Sequence, residues 1–254
     1  MTLRNGTAAW ALPHAVRDSF PEGESNLARY AARFPATEIN TSFYRAHRRA
    51  TYERWAASVP PDFRFAVKLP KAITHEAALA DCEGSLAEFA EQVDGLGEKR
   101  GPVLVQLPPR FAFDAAVAER FFAALRAIVG GQLACEPRNA GWFGAEANDL
   151  LARHRVARVA ADPAPVPEAA EPGGWDGLAY FRLHGSPKPY WSFYPPEALD
   201  QWAARATAAA GEAWVIFDNT GSGAATPDAL AFAARANEKG PATPRAAELR
   251  SIVN

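Results

Sequence analysis

The sequence lacks most features of secreted and membrane-spanning proteins. Two cysteines, Cys82 and Cys135, are too few for a disulfide framework, and no Cys-x-x-Cys pair is present to bind zinc or carry redox chemistry. No apolar run approaches the roughly 20 residues that span a bilayer. Residues Met1–Pro13 lack the apolar stretch of a secretory signal. These absences predict a cytoplasmic protein with no membrane partner.

A large excess of positive charge is also missing. The 27 Lys and Arg residues oppose 29 Asp and Glu residues, so the net charge does not indicate a nucleic-acid partner. With 48% hydrophobic and 22% charged residues, the 254-residue chain has the composition of a globular protein with a substantial core. No linker or low-complexity segment divides the chain, and we expect one domain over residues 1–254. The oligomeric state is left open.

Short apolar runs alternate with amphipathic segments to the end of the chain. Eight runs predict strands: Thr7–Leu12, Thr37–Phe43, Phe63–Leu69, Val103–Leu107, Leu133–Pro137, Val156–Asp162, Leu178–His184 and Trp214–Asn219. Seven amphipathic stretches predict helices: Ser25–Phe34, Thr51–Ser58, Ser85–Gly95, Asp114–Ile128, Ala147–His154, Pro196–Ala209 and Thr226–Asn237. This pattern predicts a single (β/α)8 TIM barrel, whose usual size is about 250 residues. A doubly wound open sheet is the alternative, but its usual GxGxxG fingerprint is absent.

Helix ends and one long connection are also marked in the sequence. Ser25, Asp114 and Thr226 are residue types that cap helix amino termini. The stretch Asp162–Trp175 is rich in Pro, Ala and Glu, and we interpret it as a long loop after the sixth strand.

Polar residues collect at the carboxyl ends of the predicted strands, where barrel enzymes place their chemistry. Successive side chains of a strand point to opposite faces, so residues two apart share a face. Alternation or a late position in a strand selects the following set: Glu38, Asn40, Lys68, Gln106, Glu136, Arg138, Asp162, Arg182, His184, Asp218 and Asn219. The pattern does not decide which of Asp218 and Asn219 points inward. A self-neutralising structural network is one interpretation of this set, but its position at one end favours a ligand site.

These residue types suit acid–base chemistry on a small anionic or sugar-like molecule, by isomerisation or hydrolysis. Glu136 would act as a base or orient Arg138, and His184 would carry a proton. Lys68, Arg138 and Arg182 would hold the substrate's negative charge. The remaining members of the set would bind substrate, as would Tyr44 and His75 in the loops after the second and third strands.

The loop after the eighth strand is a predicted phosphate site. Gly221, Ser222 and Gly223 precede a predicted helix, and glycines let backbone N–H groups approach an anion. A flexible turn followed by an ordinary helix cap is an equally good interpretation of the same residues.

Two further functions stay open. A metal-dependent phosphodiesterase would need a divalent ion; oxygen and nitrogen ligands are available, but no His-x-His cluster is present and Arg138 and Arg182 would repel the ion. We therefore predict no cofactor and keep a divalent metal as an alternative. Nucleic-acid or nucleotide binding without catalysis would use Tyr44, Arg45 and Arg48 together with loop aromatics.

A set of ordered motifs resembles the YecE-like family, catalogued as domain of unknown function 72. The motifs are Gly6-Thr7 with Trp10, Glu38-Ile39-Asn40, Ser42-Phe43-Tyr44-Arg45, Phe63 to Lys68, Thr74-His75-Glu76, Gly101-Pro102, Gln106 to Pro109, Glu136-Pro137-Arg138, Arg182 to Gly185 and Phe217-Asp218-Asn219. The resemblance covers nearly the whole chain and implies a TIM barrel. It implies no activity, and the similarity of this barrel to sugar isomerases and apurinic-site endonucleases is analogy only.

The sequence departs from the family pattern at two places. After Glu136-Pro137-Arg138 the family has His and later Ser-Trp, whereas this chain has Asn139, Gly141 and Trp142. If that His served chemistry, this chain would rely on Glu136, Arg138 and His184. The family's paired Asn after the eighth strand is Asp218-Asn219 here, which adds a carboxylate.

Overall fold

The computed structural model describes residues 2–239 as a mixed α/β fold in which strands and helices alternate. The strands of this part of the chain are β1 (Leu3–Thr7), β2 (Ala36–Ile39), β3 (Arg64–Lys68), β4 (Arg100–Gln106), β5 (Leu133–Glu136), β6 (Val156–Arg158), β7 (Ala160–Asp162), β8 (Gly173–Gly174), β9 (Leu178–Leu183) and β10 (Glu212–Phe217). Its α-helices are α1 (Asn26–Ala31), α2 (Arg49–Ala57), α3 (Glu83–Val93), α4 (Ala115–Ile128), α5 (Ala145–Arg153), α6 (Pro196–Thr207) and α7 (Ala225–Lys239). The expected domain of residues 1–254 extends past the described residues at both ends.

The strands pair into two sheets, with the orders β7-β9-β10-β1 and β2-β3-β4-β5-β6-β8. Every pair is parallel except β6 with β8. The sheets touch at an isolated parallel bridge between Ala8 and Glu38, and they follow one another along the chain at Val159, between β6 and β7. The closed (β/α)8 barrel is not confirmed, because the described strands form no closed sheet.

Local backbone geometry explains both interruptions. Ala9, directly after the bridge, has a φ of 69°, which ends the extended conformation of the first strand. The N–H of Val159 donates to the carbonyl of Cys135 in β5 at 2.8 Å, whereas Ala160 already pairs with Phe181 in β9. The chain therefore changes its pairing partner within two residues instead of extending one continuous ladder.

The first strand differs from its prediction. The apolar run Thr7–Leu12 was the expected strand, but β1 ends where that run begins. Arg4 enters the strand because its Nε donates to Glu212 at 2.7 Å, and Asn5 does so because its Nδ2 donates to the carbonyl of Ala229 at 3.2 Å. Both partners lie more than 200 residues away in sequence, so the hydrophobic pattern could not reveal them.

The predicted loop Asp162–Trp175 is also wrong in part, because it contains regular structure. A 3₁₀ turn covers Pro167–Ala170, and β8 pairs antiparallel with β6 through Gly173 and Arg158. A Cβ on Gly173 would lie 2.4 Å from the guanidinium of Arg158, so glycine permits this close approach. The other predicted strands and helices overlap observed elements, and the predicted sixth strand is observed as β6 and β7.

Two of the three predicted helix caps are confirmed. The side chains of Ser25 and Asp114 each accept a hydrogen bond from a backbone N–H in the first helical turn. Thr226 is not a cap, because it lies inside α7 and its hydroxyl donates to the carbonyl of Ala11. Within residues 2–239, no helix is both long enough and apolar enough to cross a membrane.

The strands carry one large apolar cluster against the helices and a smaller one on their inner face. The inner cluster contains Ala8, Ala36, Ala66, Leu104, Ala134, Ala157, Val159, Leu178, Tyr180, Trp214 and Ile216. Because most of these side chains are small, the stacked rings of Tyr180 and Trp214, 6.1 Å apart, supply much of the volume. Gly101 makes room for them, since a Cβ there would lie 2.6 Å from the Trp214 ring.

Candidate functional site

The inner face of the strands changes from apolar to charged toward their carboxyl ends. On β9, Arg182 and His184 follow Tyr180 at two-residue steps on the same face, as the alternation predicted. The side chains that come together there are called the charged cluster: Glu38, Lys68, Glu136, Arg138, Arg182, His184 and Asp218. They come from both sheets, so the two sheets share one site.

Arg182 is the centre of the charged cluster and is almost completely buried. Its Nε and Nη2 donate to the two oxygens of Glu38, at 3.1 and 2.7 Å. Its Nη1 donates to Oε2 of Glu136 at 2.6 Å, and Nη2 also donates to Oδ2 of Asp218 at 3.0 Å. The Tyr180 hydroxyl donates to Glu38 Oε2 at 2.8 Å. One planar guanidinium thus holds three carboxylates in fixed positions.

His184 lies between two of these carboxylates. Its Nε2 is 2.7 Å from Oε1 of Glu136, and its Nδ1 is 3.0 Å from Oδ2 of Asp218. Arg138 Nη2 forms an ion pair with the same Glu136 oxygen at 2.8 Å and lies 3.1 Å from Nε2 of His184. His184 and Arg138 thus share one oxygen of Glu136.

The positive charges of the cluster lower the pKa values of two of its carboxylates, Glu136 and Asp218. Burial alone would raise the pKa of Glu136, but the positive charges of Arg182 and Arg138 outweigh burial and hold that pKa well below its usual value. The same competition between burial and Arg182 lowers the pKa of Asp218. Glu136 is therefore a poor proton acceptor in this arrangement, and its geometry is that of an anchor for the cations around it.

Lys68 is the exception within the cluster. Only 7% of the residue is exposed, yet among residues 2–239 its ammonium has no hydrogen bond and no ion pair. It lies over the ring of Phe43, with Nζ 4.1 Å from the ring centroid. Burial and the positive charge of Arg182 lower the pKa of Lys68 to about 8, against the opposing effect of the nearby carboxylates.

Two neighbouring polar side chains are also incompletely paired. Asn40 donates to Asp218 through Nδ2 at 3.5 Å, but its buried Oδ1 has no protein partner. Arg138 has the same deficit at its buried Nε. A buried polar atom without a partner costs about 1–3 kcal/mol, so both atoms are hydrogen-bonding groups that the fold itself does not satisfy. Arg138 has the most exposed side chain among the ion-paired members of the cluster, at 22%, and marks its solvent side.

The remaining predicted residues border the cluster at different distances. Gln106 lies beside Glu136 in the β4–β5 register, but its amide donates to the carbonyl of Leu107. His75 contacts the edge of the Phe43 ring, and burial together with the charge of Lys68 lowers its pKa. Asp162 touches the cluster through its backbone, since its carbonyl accepts from the N–H of His184 at 2.7 Å, whereas its carboxylate accepts from the Tyr194 hydroxyl. Tyr44 is 72% exposed, and within residues 2–239 no hydrogen bond or ion pair links it to the cluster.

The structure separates the two candidates at the end of β10. Asp218 faces Arg182, whereas Asn219 turns away and donates through Nδ2 to Asp228 and to the carbonyl of Ser192. The predicted phosphate loop also bonds to residues outside the charged cluster, as Asn219 does. The N–H of Gly221 donates to the carbonyl of Tyr190, the hydroxyl of Ser222 donates to that of Trp191, and the N–H of Gly223 donates to that of Thr220. The donors of Gly221 and Ser222 thus hold the loop that contains Tyr190 and Trp191. A role of this segment in phosphate binding stays a prediction.

Three aromatic residues belong to the site although the sequence did not select them. Tyr180 holds Glu38, Phe43 underlies Lys68, and the ring of Tyr190 lies 5.7 Å from that of His184. The alternation along β9 was the available signal for Tyr180. Phe43 and Tyr190 belong to the loop aromatics that the sequence places near the carboxyl ends of the strands, but their individual contacts depend on tertiary structure.

A metal centre receives no support from the arrangement of side chains. Within the described part of the chain, no three His, Cys, Asp or Glu residues are grouped so as to hold a metal ion. The carboxylates of Glu38, Glu136 and Asp218 are instead bound to Arg182, whose charge would repel a cation.

Comparison with known families identifies the fold and the wider group of this protein. The family described as "Protein of unknown function DUF72" matches residues 4–250. The chain belongs to this family. The resemblance predicted from the motifs is therefore confirmed, and the match covers nearly the whole of this chain.

Two solved DUF72 structures share the fold. A protein of Enterococcus faecalis V583 has a TM-score of 0.78 at 22% identity, with 93% of this chain and 96% of that one covered. A protein of Thermotoga maritima MSB8 has a TM-score of 0.74 at 23% identity, with 92% and 98% covered. At these identities the likeness shows the architecture and carries no activity.

A curated relative is similar over part of its length. UPF0759 protein YecE of Escherichia coli (strain K12) is 34% identical over 106 residues, which are 42% of this chain and 38% of YecE. The match thus spans less than half of either protein. The name states no activity, so function has to be argued from the charged cluster.

Proposed function

We propose that this DUF72 protein is an enzyme that acts by acid–base chemistry on a small anionic or sugar-like molecule bound at the charged cluster. The two sheets would form the two parts of a barrel-like domain, with the substrate at the carboxyl ends of the strands. The observation that carries the proposal is the contrast between the fully paired Arg182 and the unpaired Lys68, buried side by side.

A purely structural network would not leave this pattern. Burying an ion costs several kcal/mol, and that cost is recovered only when excellent pairing satisfies its hydrogen-bonding groups. Arg182, Glu38 and Glu136 meet the condition, whereas the buried Nε of Arg138 and Oδ1 of Asn40 do not. Lys68, a residue only 7% exposed, has no hydrogen bond or ion pair within residues 2–239. A bound molecule with anionic and hydroxyl groups would satisfy all three, since it supplies both acceptors and donors.

The geometry suggests how the roles are divided. Arg182 and Glu136 form the rigid base of the site, with Glu136 positioning Arg138 and His184 and taking no proton itself. Arg138 and Lys68 face the substrate's negative charge. His184, bordered by the Tyr190 ring, would pass a proton from its carboxylate-bound ring.

Calorimetric titration of the full chain tests the binding half of the proposal. Inorganic phosphate, pyruvate and glucose 6-phosphate serve as anionic probes, and glucose as the neutral one. We expect the anions to bind more tightly than glucose, and Arg138→Gln to weaken them about tenfold, or about 1.4 kcal/mol. Arg153→Gln is the matched control, because Arg153 is exposed on α5 and pairs with Glu119 away from the charged cluster. Affinities that Arg138→Gln leaves unchanged would contradict the proposal.

Deuterium exchange tests the catalytic half. An enzyme that removes a proton next to a carbonyl incorporates solvent deuterium into its ligand, and proton NMR detects the loss of that C–H signal. We expect exchange into a bound sugar phosphate by the wild-type chain and none by His184→Asn at the same ligand occupancy. Circular dichroism of the variant checks that it remains folded. Equal exchange by both proteins would remove His184 from the mechanism.

Nucleic-acid binding is a second candidate, favoured by the exposure of Tyr44, Trp191 and Phe193, at 72%, 52% and 56%. Exposed rings can stack on bases, and Arg45 next to Tyr44 is exposed as well. This function requires an affinity for single-stranded oligonucleotides that falls steeply with salt. Titration of a fluorescent oligonucleotide at two salt concentrations decides it, and salt-independent or absent binding would exclude this function.

A further inference from the structure

The amine of Lys68 differs from the other lysine side chains that the structure describes. The chain has five lysines. Lys71 is exposed and pairs with Glu76 at 3.1 Å, and Lys188 lies over the partly exposed ring of Trp191. The Nζ of Lys99 donates to two backbone carbonyls at 2.6 Å each. Lys68 alone among these four is buried without a hydrogen-bond acceptor.

We propose that Lys68 forms a covalent imine with an aldehyde or ketone carbonyl of the substrate. The inference rests on the proposed function, because it uses the same site, and it narrows the substrate class to small carbonyl compounds that carry a carboxylate or phosphate group. The anionic group would lie against Arg138 while the carbonyl carbon reaches Nζ.

The position of Lys68 favours nucleophilic chemistry over ion pairing. It is the last residue of β3, on the face that carries Ala66 in the inner cluster, so the strand directs it to the same end as Glu136. The carboxylates that could neutralise it are already bound to Arg182. Burial next to another cation is an arrangement that activates lysine as a nucleophile.

The protonation state agrees with this geometry. Because burial and Arg182 bring the pKa of Lys68 to about 8, a substantial fraction of the amine is neutral near pH 7.5. An ordinary lysine, with a pKa near 10.4, is almost wholly protonated at that pH. The neutral fraction is the form that attacks a carbonyl.

The reaction step balances without any further reactant. The lone pair of neutral Nζ forms a bond to the carbonyl carbon, and a proton moves from nitrogen to the carbonyl oxygen to give a carbinolamine. Loss of the hydroxyl group with a second nitrogen proton releases one water and leaves a carbon–nitrogen double bond. No electron is gained or lost, and hydrolysis reverses the step.

Reductive trapping tests the inference on the full wild-type chain. The protein is incubated at pH 7.5 with pyruvate and sodium cyanoborohydride, and peptide mass spectrometry locates the modified amines. Acetaldehyde is the neutral probe in a parallel reaction. We expect Lys68 to be modified at least about tenfold faster than Lys71 or Lys99, because its amine lies beside the predicted anion-binding Arg138 and is bound neither to a carboxylate nor to a backbone carbonyl. Lys99 is the informative internal control, since burial also lowers its pKa but its Nζ is hydrogen-bonded.

Variants separate this inference from the proposed function. Lys68→Met should abolish the fast modification, and Lys71→Met should leave it unchanged. Arg138→Gln should slow trapping of pyruvate about tenfold and leave trapping of acetaldehyde unaltered. Pyruvate binding by calorimetry without modification of Lys68 would overturn the imine and leave the proposed function standing. Fast modification by acetaldehyde, with no anion binding at all, would support the imine and overturn the anionic substrate.

Discussion

The inner face of the strands is built in two different ways within a few residues. Its amino half is apolar, with small side chains around the stacked rings of Tyr180 and Trp214. Its carboxyl half carries the charged cluster, which begins two residues later on β9. Both halves contain completely buried side chains, since Trp214 and Glu136 are each 0% exposed. Depth of burial therefore does not distinguish packing from function on this face, whereas the completeness of polar pairing does.

The two halves stabilise the fold by different means. Apolar burial contributes about 25 cal/mol for each Å² removed from water and needs no partner. Buried charges contribute only when each is matched, and removing one partner exposes the full desolvation cost of the others. Lys68 has no such match, so stability alone gives no reason for a charge at this position.

The largest effect should come from the centre of the charged half. Arg182→Met leaves the carboxylates of Glu38, Glu136 and Asp218 buried without their shared cation. We expect the free energy of unfolding to fall by about 5 kcal/mol, as urea titration would measure. Arg153→Met, at an exposed ion pair, should change it by less than about 0.5 kcal/mol. Similar values for the two variants would show that the cluster is not a matched network.

The apolar half should respond almost as strongly but without any effect on ligands. Trp214→Ala opens a cavity beside Tyr180 and should lower the free energy of unfolding by about 3–5 kcal/mol. In protein that remains folded at low temperature, the affinity for the anionic probes should stay within about twofold of wild type, since additivity holds between separate sites. A large loss of affinity would mean that the two halves are one functional unit.

Acid should weaken the charged half selectively. The folded-state pKa values of Glu136 and Asp218 lie below their unfolded values, so the stability they contribute is present above about pH 4.5 and is lost as pH falls through the folded values. We expect the free energy of unfolding to fall progressively as the pH is lowered from 5 to 2. The comparison is between wild type and Glu136→Gln in thermal melts across that range. Parallel pH profiles would contradict the depressed pKa of Glu136.

The smallest effect, and the one opposite in sign, should come from Lys68. Because its folded-state pKa is lowered to about 8, the charged amine destabilises the fold below that pH, and the cost disappears as pH rises toward the unfolded value. Lys68→Met should therefore stabilise the protein at pH 7 by about 1–2 kcal/mol and by less at pH 10. Lys71→Met should not change stability with pH in this way. Destabilisation by Lys68→Met at pH 7 would show that the amine is paired after all.

Much of the charged half could be predicted from the sequence because strand alternation is local. The two-residue steps from Tyr180 to Arg182 and His184 place these side chains on one face whatever the rest of the chain does. The choice between Asp218 and Asn219 could not be made, because both follow the end of a strand and their directions depend on Arg182 and Asp228.

Errors arose where distant partners decide the local structure. The first strand starts at Leu3 because Arg4 pairs with Glu212, and sequence periodicity does not report contacts between residues so far apart in the chain. The expected closed sheet is not confirmed for a related reason, since the pairing partner changes at Val159 through a backbone hydrogen bond to Cys135.

The central claim is that the charged half of the inner face binds a ligand and that the unpaired amine of Lys68 contacts this ligand. Lysine labelled with ¹³C at Cε reports this directly, because the chain has only five lysine signals to resolve. The signal that disappears in Lys68→Met should titrate with a pKa of about 8 and should shift when phosphate or pyruvate is added. A Lys68 signal that titrates near 10.4 and is indifferent to both anions would contradict the claim.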